Sequence, residues 1–262
     1  MKDIKIIFFD IDGTLIDMQR KQISEHMLYT LRKLKENGIV ICIATGRSPI
    51  SLPHFEGIDF DAYLTFNGSY CYNEKETIFK NPIDPNDVKV IVDNAKNIAR
   101  PVSVSTIQKN IANGKDDDLV EYFSFAHQEV YVSTNFDEEI HNEDVYQLMV
   151  SATPKEYDVL MKHTNHTKIT AWWNRAVDII PANGGKGKGI EEILAYYGFD
   201  ASQAMAFGDG NNDIEMLQTV GWGLAMENAS DDLKEIANEI IGHVSKEGIY
   251  HYCVKQGFIE AK

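Results

Sequence analysis

Cysteine is scarce in this 262-residue chain, and the three present, Cys42, Cys71 and Cys253, lie in apolar surroundings without the spacing of a metal site. They read as reduced, buried thiols of a cytosolic protein. Basic runs are missing too: 25 Lys and Arg stand against 40 Asp and Glu, a net charge of −15. That balance argues against non-specific attraction to nucleic acid or to an anionic membrane surface. An anionic substrate stays open, provided its site is locally positive. No stretch approaches the roughly 18 apolar residues of a membrane-spanning helix. The first apolar run is short and is cut by Asp10 and Asp12, so it does not read as a signal peptide. Internal repeats and low-complexity segments are also lacking. Hydrophobic residues make up 44 %, enough for a sizeable core and too many for wholesale disorder.

What the chain does have begins at residues 4–9, an apolar run that reads as a buried strand. It stops at Asp10. Asp12 follows two residues later, then a Gly13-Thr14 turn. In open parallel sheets, ligands bind beyond the carboxyl ends of the strands. Two carboxylates this close repel by ~1 to 4 kcal/mol at 4 Å, depending on the local dielectric. Either one is protonated or a cation sits between them. Taken alone, the stretch also fits a strand followed by an ordinary acidic turn. A calcium loop of the EF-hand type fits worse, because Leu15 stands where that loop needs Gly.

The pattern recurs downstream. Ser24 fits an N-cap and Gly38 a stop for a helix whose Met27, Leu31 and Leu34 share one face. Residues 39–44 form a second apolar run, ending in Thr45-Gly46-Arg47. Strand, helix and strand make the βαβ unit of a parallel sheet. Residues 62–66 read as a third strand, followed by the Asn67-Gly68 turn signal. Residues 70–72 and 77–79 flank a polar turn and predict a hairpin, after which Pro82 and Pro85 mark a domain boundary.

Residues 82–181 have another texture. Helical patterns cover 88–98, 119–126 and 154–161, and strand patterns 102–107 and 145–150, with an acidic loop at 114–118. Residues 168–173 and 176–180 read as paired strands around Asn174-Arg175. Together they predict a separate α+β domain with an antiparallel sheet. From Asn183 the first texture returns. A Gly-Gly-Lys-Gly-Lys-Gly run opens a helix over 190–197, and a strand over 204–207 ends in the polar cluster Asp209 to Asp213. A helix with Ile214, Met216 and Leu217, a strand over 223–226, and helices over 230–237 and 248–256 complete the chain.

Three predicted strands thus end in Asp10/Asp12, in Thr45-Gly46-Arg47 and in Asp209 to Asp213. Together with Lys186 these resemble, in order, the four motifs of the haloacid dehalogenase superfamily. The long insertion between the second and third motifs resembles that of its Cof-like phosphatases. The resemblance covers essentially the whole chain. It implies an α/β protein: a Rossmann-like parallel-sheet core over 1–81 and 182–262, with an inserted α+β cap over 82–181 that sets specificity and closes over substrate. It implies that Asp10 is a nucleophile forming an aspartyl-phosphate. Asp12 would protonate the leaving alcohol and then deprotonate the hydrolytic water, starting from its protonated form. Relatives that remove halide lack this second acid, so its presence favours phosphate-ester hydrolysis.

The same resemblance implies a Mg²⁺ site made of the Asp10 side chain, the Asp12 backbone carbonyl and Asp209, an all-oxygen set. Asp213 would position a water or a ligand. Thr45 would donate its hydroxyl to the phosphate with the Gly46 N–H beside it, Asn212 would contact phosphate or leaving group, and Lys186 would pair with both Asp10 and phosphate. Lys186 fits this register because Ile190 then falls on an apolar helix position; Lys188 is the alternative. Arg47 would face substrate or cap. The expected function is a cytoplasmic Mg²⁺-dependent phosphatase of small phosphorylated metabolites, sugar phosphates foremost, acting on a small-molecule phosphate ester rather than on nucleic acid or membrane. A phosphomutase and a nucleotide-directed phosphatase share the resemblance. A phosphosugar-binding regulator without turnover is the non-enzymatic alternative, and intact Asp10 and Asp12 speak against it.

Four other features read as structural. The glycines at 184–189 lack dinucleotide-loop spacing and no Gly-Lys-Ser/Thr occurs. His163 and His166 fall in a polar turn, and Asp116 to Asp118 read as a solvated turn. Trp172-Trp173, as adjacent strand residues, face opposite sides, so at most one stacks on a sugar while the other packs.

Overall fold

Four apolar residues, Ile6–Phe9, form strand β1, and all four are buried. Full burial of successive residues requires cover on both faces of a sheet, which is the situation of a parallel strand under helices. Ile6 and Phe8 pack on one face with Ile190, Ile193 and Leu217. On the other face Phe9 stacks on Phe207 at 5.3 Å, and Phe207 meets Tyr252 edge-on. This computed structural model describes residues 3–20, 22–126, 128–141 and 143–262.

After β1 come β2 (Val40–Ala44), β3 (Ala62–Thr65), β4 (Tyr70–Tyr72) and β5 (Thr77–Lys80). The helix between β1 and β2, Glu25–Glu36, starts at Ser24, whose side chain accepts from the Met27 N–H. That cap satisfies one of the backbone donors a helix start leaves free. Beyond the insertion lie β11 (Ala204–Gly208), β12 (Trp222–Met226) and β13 (Glu239–Ile241), counted after the five strands of the inserted segment. The sheet order is β13-β12-β11-β1-β2-β3-β4-β5, parallel from β13 to β3 and antiparallel from β3 to β4. β1 and β11 are neighbours although Ile6 and its partner Ala204 lie 198 positions apart in a chain of 262 residues. β13 has no clear sequence signal, being three residues long with one of them exposed.

The chain folds into two compact units: Met1–Thr45, Pro53–Phe79 and Lys186–Lys262 make one, Gly46–Leu52 and Lys80–Gly185 the other. The expected boundaries kept all of 1–81 in the core. Instead Gly46–Leu52 belongs to the second unit, where Asn110 Nδ2 donates to the hydroxyls of Ser48 and Ser51.

The second unit holds β6 (Val102–Ser105), β7 (Asn110–Ala112), β8 (Gln147–Val150), β9 (Thr167–Thr170) and β10 (Val177–Pro181). Their order is β7-β6-β8-β10-β9, with every neighbour antiparallel. The helix Pro85–Asn97 packs Val88, Ile91 and Val92 onto this sheet with Val104, Leu148 and Ile179. Two expectations fail here. Asp116 to Asp118 are not a plain solvated turn: Asp116 caps the helix Asp117–Phe125 through the Leu119 N–H, and Asp116 and Asp118 pair with Arg100 at 3.5 Å. Trp172 and Trp173 lie in a bend after β9 rather than in the strand, so alternation does not apply. Both rings stack with Tyr122, and Trp172 Nε1 donates to the Tyr122 hydroxyl at 3.0 Å.

The Gly-rich run before residue 190 has a packing role. Helix Lys186–Tyr197 begins within it. A Cβ at Gly189 would stand 2.6 Å from Leu64 and 3.0 Å from Gly68 Cα, and one at Gly187 would stand 2.7 Å from Thr219 Oγ1. The missing side chains let the first turn of this helix sit directly on β3 and on the helix after β11. Gly189→Leu, having no room, is expected to destabilise the fold by ~2 kcal/mol or more, in line with overpacked cores; urea unfolding followed by circular dichroism checks this.

Candidate active site

The register brings three segments together. Phe9 pairs with Ile43 on β2 and with Phe207 on β11. One residue further, Asp10 leaves β1, and Thr45 and Asp209 follow the carboxyl ends of β2 and β11. Apolar strands buried on both faces deliver their first polar residues at the same edge of the sheet, as such sheets commonly do.

Lys186, the first residue of its helix, is fully buried. Its Nζ donates to Asp10 Oδ1 at 2.7 Å and to Asp213 Oδ1 at 2.5 Å. Lys188 lies on the outer side of the same helix, paired with Glu192 at 2.7 Å and partly exposed. Lys186 therefore reaches the carboxylates and Lys188 does not. The second oxygen of Asp213 accepts the N–H groups of Asp209 and Gly210, both at 3.0 Å. A Cβ at Gly208 would lie 2.7 Å from that carboxylate, so glycine is what lets Asp213 fold back under its own loop. Asp213 thus pins both the lysine and the loop that carries Asp209.

Asp209 is held from three sides. Thr14 Oγ1 donates to its Oδ1 at 3.1 Å, Asn228 Nδ2 approaches Oδ2 at 3.4 Å, and its backbone carbonyl accepts the Ser230 N–H at 2.9 Å. Asn228 also donates to the Gly13 carbonyl at 2.8 Å. Gly13 itself adopts φ +85, and a Cβ there would stand 2.1 Å from Asp209 Oδ2. No side chain other than hydrogen fits that turn.

Asp12 sits three residues past the end of β1 in a tight return, forming a bridge with Ile16. Thr45 is buried; its N–H donates to the Leu64 carbonyl and its carbonyl accepts the Asn67 N–H. Asn212 Nδ2 donates to Asn67 Oδ1 at 3.2 Å. Gly46 and Arg47 follow Thr45 in sequence but belong to the second unit: Gln147 Nε2 donates to the Gly46 carbonyl at 3.2 Å, and Arg47 Nη1 to the Ser51 carbonyl at 3.0 Å. Thr14, Asn67 and Asn228 are site residues that the motifs alone do not single out. Asn228 follows the apolar strand β12, so the rule that finds the other strand-end residues also reaches it.

The electrostatics follow from burial. Desolvation pushes the Asp10 carboxyl up to about 7; Asp213 and Asp12 push the same way, and Lys186 opposes them. Asp209 is likewise driven well above the ordinary carboxylate range by burial, then by Asp10 and Asp213. Burial alone would lower the Lys186 ammonium, but the Asp10 and Asp213 carboxylates outweigh it and hold the lysine charged. One buried cation therefore faces more carboxylate than it neutralises.

Asp10, Asp209 and Asp213 offer oxygen atoms within 4.8 Å of one another, a cluster that could hold a metal ion. The donor chemistry fits a hard divalent cation, which takes oxygen ligands. Both oxygens of Asp213 are already engaged, by Lys186 and by the two N–H groups, so Asp10 and Asp209 are the carboxylates suited to bind it directly.

A parallel-sheet core, a second antiparallel unit and a lysine buried between acids at the strand ends define a class. The chain belongs to the haloacid dehalogenase-like hydrolases, whose family model matches residues 7–253. It is, accordingly, an enzyme. It is 31 % identical over 255 residues, 97 % of its length, to a Bacillus subtilis (strain 168) protein carrying the provisional name phosphatase YkrA, covering 98 % of that protein. It is 28 % identical to the 5-amino-6-(5-phospho-D-ribitylamino)uracil phosphatase YitU of the same organism, covering 94 % and 95 % of the two chains. Among solved structures, the sugar phosphatase BT4131 superposes with a TM-score of 0.87 at 28 % identity, covering 97 % of this chain and 100 % of the other.

Raised carboxyl pKa values have a sign for stability. Asp10 binds its proton more tightly folded than unfolded, so its contribution falls as pH rises from ~4, where the unfolded chain releases the proton, to about 7, where the folded protein does. A divalent cation bound at the cluster would offset that loss. Thermal unfolding is expected to show a Tm increase on adding MgCl₂ at pH 8, by about 2–4 °C per kcal/mol of binding free energy, and almost none at pH 5. Asp209→Asn is expected to raise the Tm of the metal-free protein at pH 8 and to abolish the Mg²⁺ response.

Proposed function

We propose that this enzyme is a Mg²⁺-dependent phosphatase that hydrolyses phosphate monoesters of small sugars or polyols through an aspartyl-phosphate. The observation that carries the reading is the fully buried Lys186 on Asp10 Oδ1. A carboxylate is a weak nucleophile toward a dianionic phosphate ester, and charge neutralisation with in-line positioning is what makes the attack feasible. Lys186 stabilises the charge that builds up as the Asp10 oxygen approaches phosphorus. Asp10, the Asp12 backbone carbonyl and Asp209 would hold Mg²⁺, which supplies Lewis-acid neutralisation of the phosphoryl oxygens.

In this reading each residue has a task. Asp10 attacks, the P–O bond to the leaving group breaks, and Asp12 gives its proton to the departing alkoxide. Asp12 then takes a proton from the water that attacks the aspartyl-phosphate, releasing inorganic phosphate and restoring Asp10. The Thr45 hydroxyl, the Gly46 N–H and the Asn212 amide bind the phosphoryl oxygens. Asp213 keeps Lys186 and the Asp209 loop in place. The substrate class draws on the relatives: one acts on a phosphorylated ribityl chain and one is a sugar phosphatase, so both take a phosphate carried on a polyol or sugar.

The test is phosphate release from p-nitrophenyl phosphate and from a panel of sugar and polyol phosphates, with MgCl₂ and with EDTA. Release is expected to require magnesium, and Asp10→Asn is expected to lower kcat by about 10³-fold or more, as loss of a nucleophile does elsewhere. Absence of release from every ester by folded protein overturns the proposal and leaves a binding role. Asp12→Asn separates the acid from the nucleophile. Its kcat loss, about 10² to 10⁴-fold for a general acid, is expected to be much larger with sugar phosphates, whose alkoxide needs a proton, than with p-nitrophenyl phosphate, whose leaving group does not.

A further inference from the structure

Three consecutive residues at the end of β3 adopt left-handed backbone: Phe66 at φ 51, Asn67 at φ 51 and Gly68 at φ 93. Gly takes this conformation freely and Asn tolerates it, but a bulky Phe does not. Such strain persists only where the surroundings enforce it, and it concentrates at functional sites. The surroundings here are specific. Phe66 and Asn67 are almost wholly buried, and Gly68 Cα lies under Gly189 of the helix that begins at Lys186. The Asn67 N–H donates to the Thr45 carbonyl at 3.0 Å, and its side-chain oxygen accepts from Asn212 Nδ2 at 3.2 Å. One strained turn thus touches the three segments that bear Thr45, Lys186 and Asn212.

We propose that Asn67 is a positioning residue for phosphate binding, one that fixes the Asn212 amide so that its N–H edge rather than its oxygen is presented to the phosphoryl group. This rests on the phosphate-binding role assigned above to Asn212. An amide has two donors on nitrogen and acceptors only on oxygen. With the Asn67 oxygen facing it, the Asn212 amide gives one N–H to Asn67 Oδ1 and leaves the other for an anion. The Asn212 oxygen is turned toward Gly210, where a Cβ would lie 2.5 Å away. A flipped amide would set oxygen against oxygen at Asn67 and offer the phosphate a repelling lone pair. The left-handed backbone brings the short Asn side chain to this point, since it places the N–H on Thr45 and the carboxamide on Asn212 from a single residue.

The experiment is a double-mutant cycle read by the Kd of inorganic phosphate, measured calorimetrically with MgCl₂ on protein shown to be folded. Asn212→Ala is expected to weaken phosphate about tenfold, the size of one hydrogen bond to a charged group. Asn67→Gly keeps the left-handed backbone and removes the acceptor. It is expected to weaken phosphate by a similar factor, and adding Asn212→Ala to it is expected to cost less than about twofold more. Asn67→Asp keeps an acceptor toward Asn212, so on that background Asn212→Ala is expected to cost about as much as in the wild type, whatever the added charge does to absolute affinity. A purely structural Asn67 gives additive losses in the glycine cycle. Additivity, an Asn212 effect lost in Asn67→Asp, or a wild type that binds no phosphate overturns the proposal. Phosphate binding with the expected coupling, but no turnover of any ester, overturns the phosphatase reading and leaves this one standing.

Discussion

The buried ammonium of Lys186 is the interaction on which the rest of the site depends. Moving a charge from water into a protein interior costs several kcal/mol unless partners replace the lost solvation. Asp10 and Asp213 are those partners, at 2.7 and 2.5 Å. Each has a different second commitment. Asp213 gives its other oxygen to two backbone N–H groups, so it also holds the loop. Asp10 sits where β1 ends. The lysine therefore ties the loop that carries Asp209 to the carboxylate at the end of β1. The charges do not balance: Asp209 adds a further buried acid, held by Thr14 and Asn228 rather than by the lysine, and the excess negative charge is what suits the cluster to a divalent ion.

The sheet explains why these groups meet. β1 lies between β2 and β11, so a single edge collects residues from positions 10, 45 and 209 with no long loop to hold them. The helix after β10 brings Lys186 to the same edge because glycines at 187 and 189 allow its first turn to press against neighbouring elements. Rigid strands set the positions of the carboxylates, while close helix packing sets the cation. The turn at Gly13 has no room for a side chain against Asp209, so the two acid-bearing segments fit each other as surfaces.

Much of this is legible in the sequence, for physical reasons that are also its limits. Asp10, Thr45 and Asp209 stand out because each ends an apolar run, and an apolar run that stops at a polar residue marks the edge of a buried sheet. Lys186 is separable from Lys188 by helix phase, since the two lie on different sides of one helix. Asn67 is visible only as a turn residue: Asn-Gly is the signature of positive φ, and nothing in it reveals that the carboxamide meets Asn212. The Trp172-Trp173 reading fails because it extends a strand through a bend, and alternation holds only inside a strand. Asp116 reads as solvated yet caps a helix and pairs with Arg100, partners set by tertiary structure. The short strands β7 and β13 escape because three residues carry little periodicity and, unlike the equally short β4, neither follows an Asn-Gly turn.

The contact between β1 and β11 has a consequence in time. Lys186 and Asp10 are 176 residues apart, and Thr14 and Asp209 are 195 apart. During synthesis at roughly 5–20 residues per second, Asp10 and its β2 neighbour emerge many seconds before Lys186 and Asp209. Until then the edge of β1 that will receive β11 is open, and Asp10 has no cation beside it. The acid–lysine cluster is complete only with β11 beside β1 and the helix of Lys186 on β3, so its assembly and completion of the core sheet coincide.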